Sequence, residues 1–230
     1  MSYMVRKVVL CSLICSLFAF VSCAQKSSDA DTKGQQMGPG GQTLVENAFS
    51  EGKSLICPEN THRVEKMDSS YPEFYCVGYE GRQGPWLEYD AYGRLIKRSA
   101  FKNDKYNGEW IQYHPNGKIE TQGQIVDNNR EGMWTQWYIG GNKRSVKHYL
   151  HNSIHGRVEL YYLNGTLMAD GVYENDLEEG QWKVYTPEGK LARECKMVHG
   201  EETDCVVHIK EFEIKSIKFG DRKIKVTEDS

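Results

Sequence analysis

The amino-acid sequence predicts an all-β protein: an extended antiparallel meander of five 24-residue β-hairpin repeats, closed by a half repeat at one end and a hairpin at the other. The first sign is a constant period, since Gly84, Gly108, Gly132, Gly156 and Gly180 stand 24 residues apart with no insertion between them. A fixed period of this length marks a modular array whose units stack on their neighbours. The second is turn chemistry, most plainly HPNGK at 114–118 and TPEGK at 186–190. The third is the flanking runs, GEWIQY before the turn and KIETQGQIV after it, which are rich in strand formers and too short for helices.

Within each unit, Trp86, Trp110, Trp134, Val158 and Trp182 follow the first glycine by two positions. Tyr89, Tyr113, Trp137, Tyr161 and Tyr185 follow it by five. A second glycine column, Gly93, Gly117, Gly141, Gly165 and Gly189, marks the turn, and a weaker apolar column, Phe101, Ile125, Tyr149, Tyr173 and Met197, closes the unit. Pro115 and Pro187 preset φ for the first central position of a type I turn, and the glycine two residues on supplies the left-handed conformation of a bulge. A second polar turn, such as 127–129 or 175–176, returns the chain to the next copy. The Trp and Tyr columns are three positions apart, so strand alternation sends them to opposite faces. Equivalent positions in successive copies then recur about 9.6 Å apart, at two strand spacings.

The units divide the chain as follows: 55–83 an N-terminal cap, 84–203 the repeats, and 204–230 a C-terminal cap. EFYCVGYEGRQ, from Glu73, fits the second half of a unit, with Val77 in the apolar column. VVHIKEFEIKSIKFGDRKIKV alternates apolar and charged residues around Gly220-Asp221, as a final hairpin should, and its lysines would protect an open edge. Cys57, Cys76, Cys195 and Cys205 form an even set that allows three pairings. Pairing Cys57 with Cys76 and Cys195 with Cys205 makes two short loops that bracket the repeats, each adding about 3 kcal/mol by the loop-entropy estimate.

The first residues give an address. Arg6 and Lys7 precede an apolar run from Val8 to Val21, which at 14 residues falls short of the about 20 that a spanning helix needs. Residues 1–22 therefore read as a secretory signal peptide. Phe20-Val21-Ser22-Cys23 resembles a bacterial lipobox with Phe where Leu is usual, which would make Cys23 the lipidated, palmitate-bearing first residue. Cleavage after Ala24 is the alternative. Residues 23–54 are rich in Ser, Gly, Gln and Asp and read as a disordered tether. Ala24 and Gln25 lack the acidic residue that some bacteria read as inner-membrane retention, so an outer membrane or cell-surface position is expected over the inner membrane.

The pattern GxWxxYxxxG with turns such as HPNGK and YLNGT resembles the bacterial variant of the MORN (membrane occupation and recognition nexus) repeat. The likeness covers 84 to about 203, with Val158 and Lys143 departing from it. It implies an all-β scaffold or binding surface, and no chemistry by itself. Antitoxin-like proteins carry the same repeat, so neutralisation of a partner toxin is the alternative role.

Composition narrows the partners. Loss of Arg6 and Lys7 with no accompanying acid takes the formal charge from -3 to -5, which weighs against nucleic acid. No GxSxG, Walker or HExxH motif points to catalysis, and neither a cofactor nor a catalytic residue is assigned; a hydrolase built from facing carboxylates is the least favoured reading. Two metal readings compete with plain turn and surface chemistry: His148, His151 and His155 for a transition metal, and the acidic turns for calcium. Neither outweighs it. Asn164-Gly165-Thr166 matches a glycosylation sequon but lies in a hairpin turn. What remains is a binding surface formed by Trp86, Trp110, Trp134, Trp182, Tyr89, Tyr113, Trp137, Tyr161 and Tyr185, for another protein, in an envelope protein held to the membrane by its N-terminal lipid.

Overall fold

The computed structural model describes residues 49–210 together with the strands 218–219 and 222–223. The signal peptide, Cys23 and the tether up to residue 48 lie outside the described residues, as does most of the chain after Lys210. After the short helix α1 (Ser50–Lys53) come β1 (His62–Lys66), β2 (Glu73–Gly78), β3 (Gly81–Tyr89), β4 (Leu95–Lys102), β5 (Lys105–Tyr106), β6 (Gly108–Tyr113) and β7 (Ile119–Val126). They are followed by β8 (Asn129–Trp137), β9 (Lys143–Leu150), β10 (Ser153–Tyr161), β11 (Leu167–Glu174), β12 (Leu177–Tyr185), β13 (Leu191–Val198) and β14 (Glu201–Val207). All these strands join one antiparallel sheet in sequence order, with β5 paired beside β4.

The register repeats with the sequence. Gly84 faces Phe101, Gly108 faces Ile125, Gly132 faces Tyr149, Gly156 faces Tyr173 and Gly180 faces Met197. Each unit is one hairpin, and the next unit zips to its outer strand. The half repeat upstream keeps this frame, because Val77 faces Arg82 as Phe101 faces Tyr106 one period later. Ahead of it, β1 supplies a first half that the sequence did not announce, and its pairing of His62 with Val77 runs two residues out of step with the copies.

Two turn types alternate along the edges. At one edge, Gly93, Gly117, Gly141, Gly165 and Gly189 all have positive φ and each donates its amide to the carbonyl three residues earlier, as Gly117 does to His114 O at 2.9 Å. This is the type I turn with a bulge that the motif called for. At the other edge, Asn103-Asp104, Asp127-Asn128, His151-Asn152, Asn175-Asp176 and His199-Gly200 have positive φ at both positions. These are two-residue type I′ turns, whose demand for left-handed backbone at two successive residues explains the Asn, Asp and Gly placed there.

Faces separate as the columns predicted. The Trp face holds Trp86 (1% exposed), Val158 (1%) and Trp182 (5%) with Phe101, Ile125, Tyr173 and Met197. Two of its indoles lie over glycine. A Cβ on Gly123 would lie 2.2 Å from the Trp134 ring, and one on Gly171 would lie 2.1 Å from the Trp182 ring. The Trp134 and Trp182 indoles therefore lie flat on bare backbone of the preceding copy. In copy four the facing residue is Lys147 and the column carries the smaller Val158, whereas in copy one Trp86 faces Tyr75 and is still sealed. Copy two faces Ser99 by the same register, and Trp110 is only half-buried, stacking against Trp86 with centroids 5.7 Å apart.

At the N-terminal end, Phe49 packs its ring 5.9 Å from Phe74 and 5.3 Å from Tyr89, and the Gly52 amide donates to the Tyr89 hydroxyl at 2.7 Å. The folded body thus includes Phe49–Ser54, which the polar composition before it had assigned to the tether; Phe49 and Leu55 supply the apolar surface that draws them in. Cys57 is joined to Cys76, tying this segment to β2, and Cys195 is joined to Cys205, directly opposite across β13 and β14. The array's last strand is β14. Gly220-Asp221, where a final hairpin was expected, lies outside the described residues; beside it β15 (Lys218–Phe219) and β16 (Arg222–Lys223) pair with each other in a separate two-stranded sheet. Among the described residues no helix is long and apolar enough to cross a membrane.

Candidate binding surface

The structure divides the aromatic columns by role. Trp86, Trp134 and Trp182 are buried, and their indole N–H groups are spent internally: Trp86 Nε1 donates to Glu73 Oε2 at 2.9 Å, and Trp134 and Trp182 donate at 3.2 Å to the carbonyls of Gln124 and Val172. This column, Trp110 included, is the fold's own packing. The Tyr column differs. Tyr89 is buried beneath α1, but Tyr113, Trp137, Tyr161 and Tyr185 stay half-buried along the opposite face.

Polar groups on this Tyr face form one network in copies four and five. The Tyr161 hydroxyl donates to Glu159 Oε2 at 2.7 Å and the Tyr185 hydroxyl to Asp170 Oδ1 at 3.2 Å. An Arg157 terminal nitrogen lies 3.0 Å from Glu159 Oε1 and 3.6 Å from Asp170 Oδ2. Partial burial, then the bond to Glu159 and that residue's charge, pushes the Tyr161 hydroxyl up to about 12. Tyr185 is raised by burial and by Asp170, and Tyr113 by burial. The Tyr161 and Tyr185 phenols remain neutral donors at ordinary pH, bound to carboxylates whose other oxygens meet Arg157. At the far end, a groove of about 520 Å³ lies between Glu51–Ile56 and the Tyr face at Pro85, Leu87 and Ala100, with Arg98 and Glu109 beside it.

Side chains also tie the copies together at both edges. On the type I′ edge, Asp104, Asn128, Asn152 and Asp176 each accept, through Oδ1, the amide of the residue 22 positions earlier, at 2.6 to 3.0 Å. The backbone amides of the same residues donate back to the same strands. On the type I edge, Asn116, Asn142 and Asn164 donate through Nδ2 to the carbonyls of Ile139, Leu163 and Pro187. Tyr138 and Tyr162 donate their hydroxyls to the carbonyls of Tyr161 and Tyr185 at 2.8 and 2.7 Å. These ladders were missed in the sequence, although Asp104, Asn128, Asn152 and Asp176 recur every 24 residues.

The ladders account for the other candidates. In the turns that could have taken calcium, Asn128, Asp176 and Glu179 accept backbone amides, while Asp127, Asn129 and Glu178 accept from the side chains of Asn107, Asn152 and Tyr173. His148 sits in β9 with Nδ1 3.1 Å from the Arg157 carbonyl, and His151 occupies a type I′ turn. Among the described residues the one group of three potential ligands close enough for an ion is Cys195, Glu202 and Cys205, and there the two cysteines are bonded to each other. Asn164 Nδ2 is engaged at 3.0 Å with the Pro187 carbonyl.

Comparison with known proteins agrees with this architecture. Residues 106–127, 154–175 and 178–199 match the family model described as the MORN repeat variant, which falls on copies two, four and five. The chain carries MORN-variant repeats. No curated protein matches it. Among solved structures, the crystal structure of TarM is similar over 59% of this chain and 26% of that one, at 13% identity and a TM-score of 0.30. A mutant TarM from S. aureus, in complex with fondaparinux, alpha-GlcNAc-glycerol and UDP, is similar over 59% and 27%, at 10% identity and a TM-score of 0.28. The chain thus spans about a quarter of those proteins, and a likeness of this size bears on neither fold nor activity.

Proposed function

We propose that this is a lipid-anchored envelope protein whose repeat sheet acts as a protein-binding or scaffolding surface, with no chemistry of its own. The observation that carries the reading is the Tyr face: Tyr113, Trp137, Tyr161 and Tyr185 stand side by side, half-buried, on a continuous sheet. Rings fixed by packing and by hydroxyl bonds offer contact area at little entropic cost, which is the character of protein-recognition hot spots. Anchoring through Cys23 and a tether would hold that face clear of the lipid on the outer membrane or cell surface.

A photo-crosslinking amino acid placed at Tyr161 or Tyr185 in intact cells tests the surface. A discrete adduct from these positions, absent when the probe sits at Asp127 on the type I′ edge, supports the reading; equal labelling from all three positions, or none, refutes it. Cys23→Ala tests the anchor, and a protein that still partitions with membranes after that change is not held by the lipid.

A further inference from the structure

The type I turns line one edge of the sheet, and their first central positions are Ala91, Pro115, Ile139, Leu163 and Pro187. Every one is apolar. Proline belongs there because its ring presets φ. Ile139 and Leu163 have no such reason, and they are 55% and 66% exposed. Nor are these tips loose: the carbonyls of Ile139, Leu163 and Pro187 accept bonds of 3.0, 2.9 and 3.0 Å from Asn116, Asn142 and Asn164 of the preceding copies. The result is a rigid row of apolar tips held in register, with no local structural need for the two largest.

Charge around the row runs against the protein's acidic balance. Lys118, Lys143 and Arg144 are exposed beside Pro115 and Ile139. Lys143 takes the position that other copies give to Leu95, Ile119, Leu167 and Leu191, each facing its Tyr-column residue as Lys143 faces Trp137. Among the described residues no carboxylate pairs with Lys143 or Arg144. The opposite edge, with its Asn, Asp and His turns, shows that the sheet itself is content with polar tips.

We infer that this edge docks an acidic, amphipathic α-helix of a partner protein. Successive tips are about 9.6 Å apart, at two strand spacings, and one heptad of α-helix rises about 10.5 Å. One apolar side chain per heptad therefore meets successive tips, while carboxylates beside it meet Lys118, Lys143 and Arg144. A bilayer suits the row less well, because interfacial binding needs a broad apolar face and this one is a single residue wide. The inference rests on the protein-binding role proposed above but places this partner on the edge, not on the Tyr face.

The test uses the full chain and a fluorescein-labelled synthetic helix of about 28 residues, four heptads long, with Leu at every seventh position, Glu flanking it and Ala elsewhere. Anisotropy should show saturable binding about tenfold or more tighter than that of the same peptide with Lys for Glu. Ile139→Asp with Leu163→Asp, and separately Lys143→Glu with Arg144→Glu, should each weaken binding about tenfold or more. Both pairs should leave thermal unfolding nearly unchanged, being surface changes. Lys102→Glu with Lys105→Glu, an equal charge change on the opposite edge, should leave binding intact. No saturable binding, equal affinity for the two peptides, or insensitivity to the Ile139 and Leu163 pair overturns the inference. Attachment to vesicles of phosphatidylcholine with about a third phosphatidylglycerol, lost in the same variants and not displaced by the Glu peptide, also overturns it in favour of a membrane. Crosslinks from Tyr161 report on the Tyr face independently, so failure of one reading is distinguishable from failure of the other.

Discussion

Gly171→Ala is the sharpest perturbation of the repeat. Its added Cβ would meet Cδ2, Cε2 and Cε3 of Trp182 at 2.1, 2.2 and 2.7 Å, against an ordinary carbon contact of about 3.5 to 4.0 Å. The indole must withdraw by more than about 1 Å to restore that distance. It then forfeits its bond to the Val172 carbonyl at 3.2 Å and its edge contact with Tyr173, whose ring centroid is 5.5 Å away. Overpacking costs about 1 to 3 kcal/mol and a lost hydrogen bond about 1 kcal/mol, so Gly171→Ala should destabilise by about 3 kcal/mol. Trp182→Val should cost a similar amount, about 3 kcal/mol, through lost burial.

The double variant recreates the pairing of copy four, a side chain facing Val158. It should therefore fall short of additivity by about 2 kcal/mol. Urea unfolding followed by far-UV circular dichroism measures all four proteins, with a second probe to confirm a single transition, because terminal units of a repeat array can unfold separately. Gly132→Ala is the control: nothing lies within 4 Å of its added Cβ, and φ of 65° leaves a backbone penalty of about 1 to 2 kcal/mol. Additivity in the double variant, or a Gly171→Ala cost no larger than that of Gly132→Ala, refutes the account of the Trp column.

Three further outcomes are expected. Tyr89, Tyr106 and Tyr161 are each pushed up to about 12 with burial as the first cause, so folding favours their protonated forms; stability should hold up to about pH 10 and fall as pH rises towards 12, with phenolate absorbance appearing later than in an unfolded control, whereas a flat pH profile across this window contradicts it. Asn128→Ala should cost about 2 kcal/mol, from the lost bond to the Tyr106 amide at 2.8 Å and a φ of 69°, and Asn128→Gly about 1 kcal/mol, since glycine keeps the turn; equal costs in urea unfolding would separate the ladder from the turn wrongly. Reduction should lower stability by about 3 kcal/mol per disulfide from sequence separations of 19 and 10, measured as the shift in urea midpoint, and an unchanged midpoint would show that the pairs do not constrain the unfolded chain.

The sheet was legible because its demands are local and recur: a left-handed residue in each turn, large apolar or aromatic residues at fixed offsets, hairpin strands of six to nine residues. Position within the chain, not composition, carried the signal. What stayed hidden was decided by neighbours one period away. Gly123 and Gly171 look like weak strand residues until the Trp134 and Trp182 indoles are seen lying on them. Exposure was equally unreadable, since Trp86 and Tyr161 are both aromatic at regular spacing, yet one is sealed in packing and the other half-open. The boundary at Phe49 was lost for a related reason: one aromatic ring after a polar stretch carries little weight in composition, but it completes a three-ring cluster with Phe74 and Tyr89.

These same neighbour relations explain how such a thin structure can present a specific surface. In a single sheet a side chain on the open face gains little from burial, so rigidity has to come from elsewhere. Here it comes from the edges, where amides, phenols and backbone groups bond each copy to the next at 21- to 23-residue separations, and from the Trp face, where the Trp134 and Trp182 indoles lie on bare backbone. With register fixed by those two features, the type I turn tips and the Tyr face of copies four and five are released from holding the fold, whereas Leu87, Ile111 and Thr135 are buried on that face in the first three copies. Copies diverge most at one Tyr-face position, which reads Leu87, Ile111, Thr135, Glu159 and Lys183, while the Trp column departs only at Val158. Binding specificity in this array is therefore expected to reside in the exposed positions that break the repeat, while the packing columns stay matched to their neighbours one copy away.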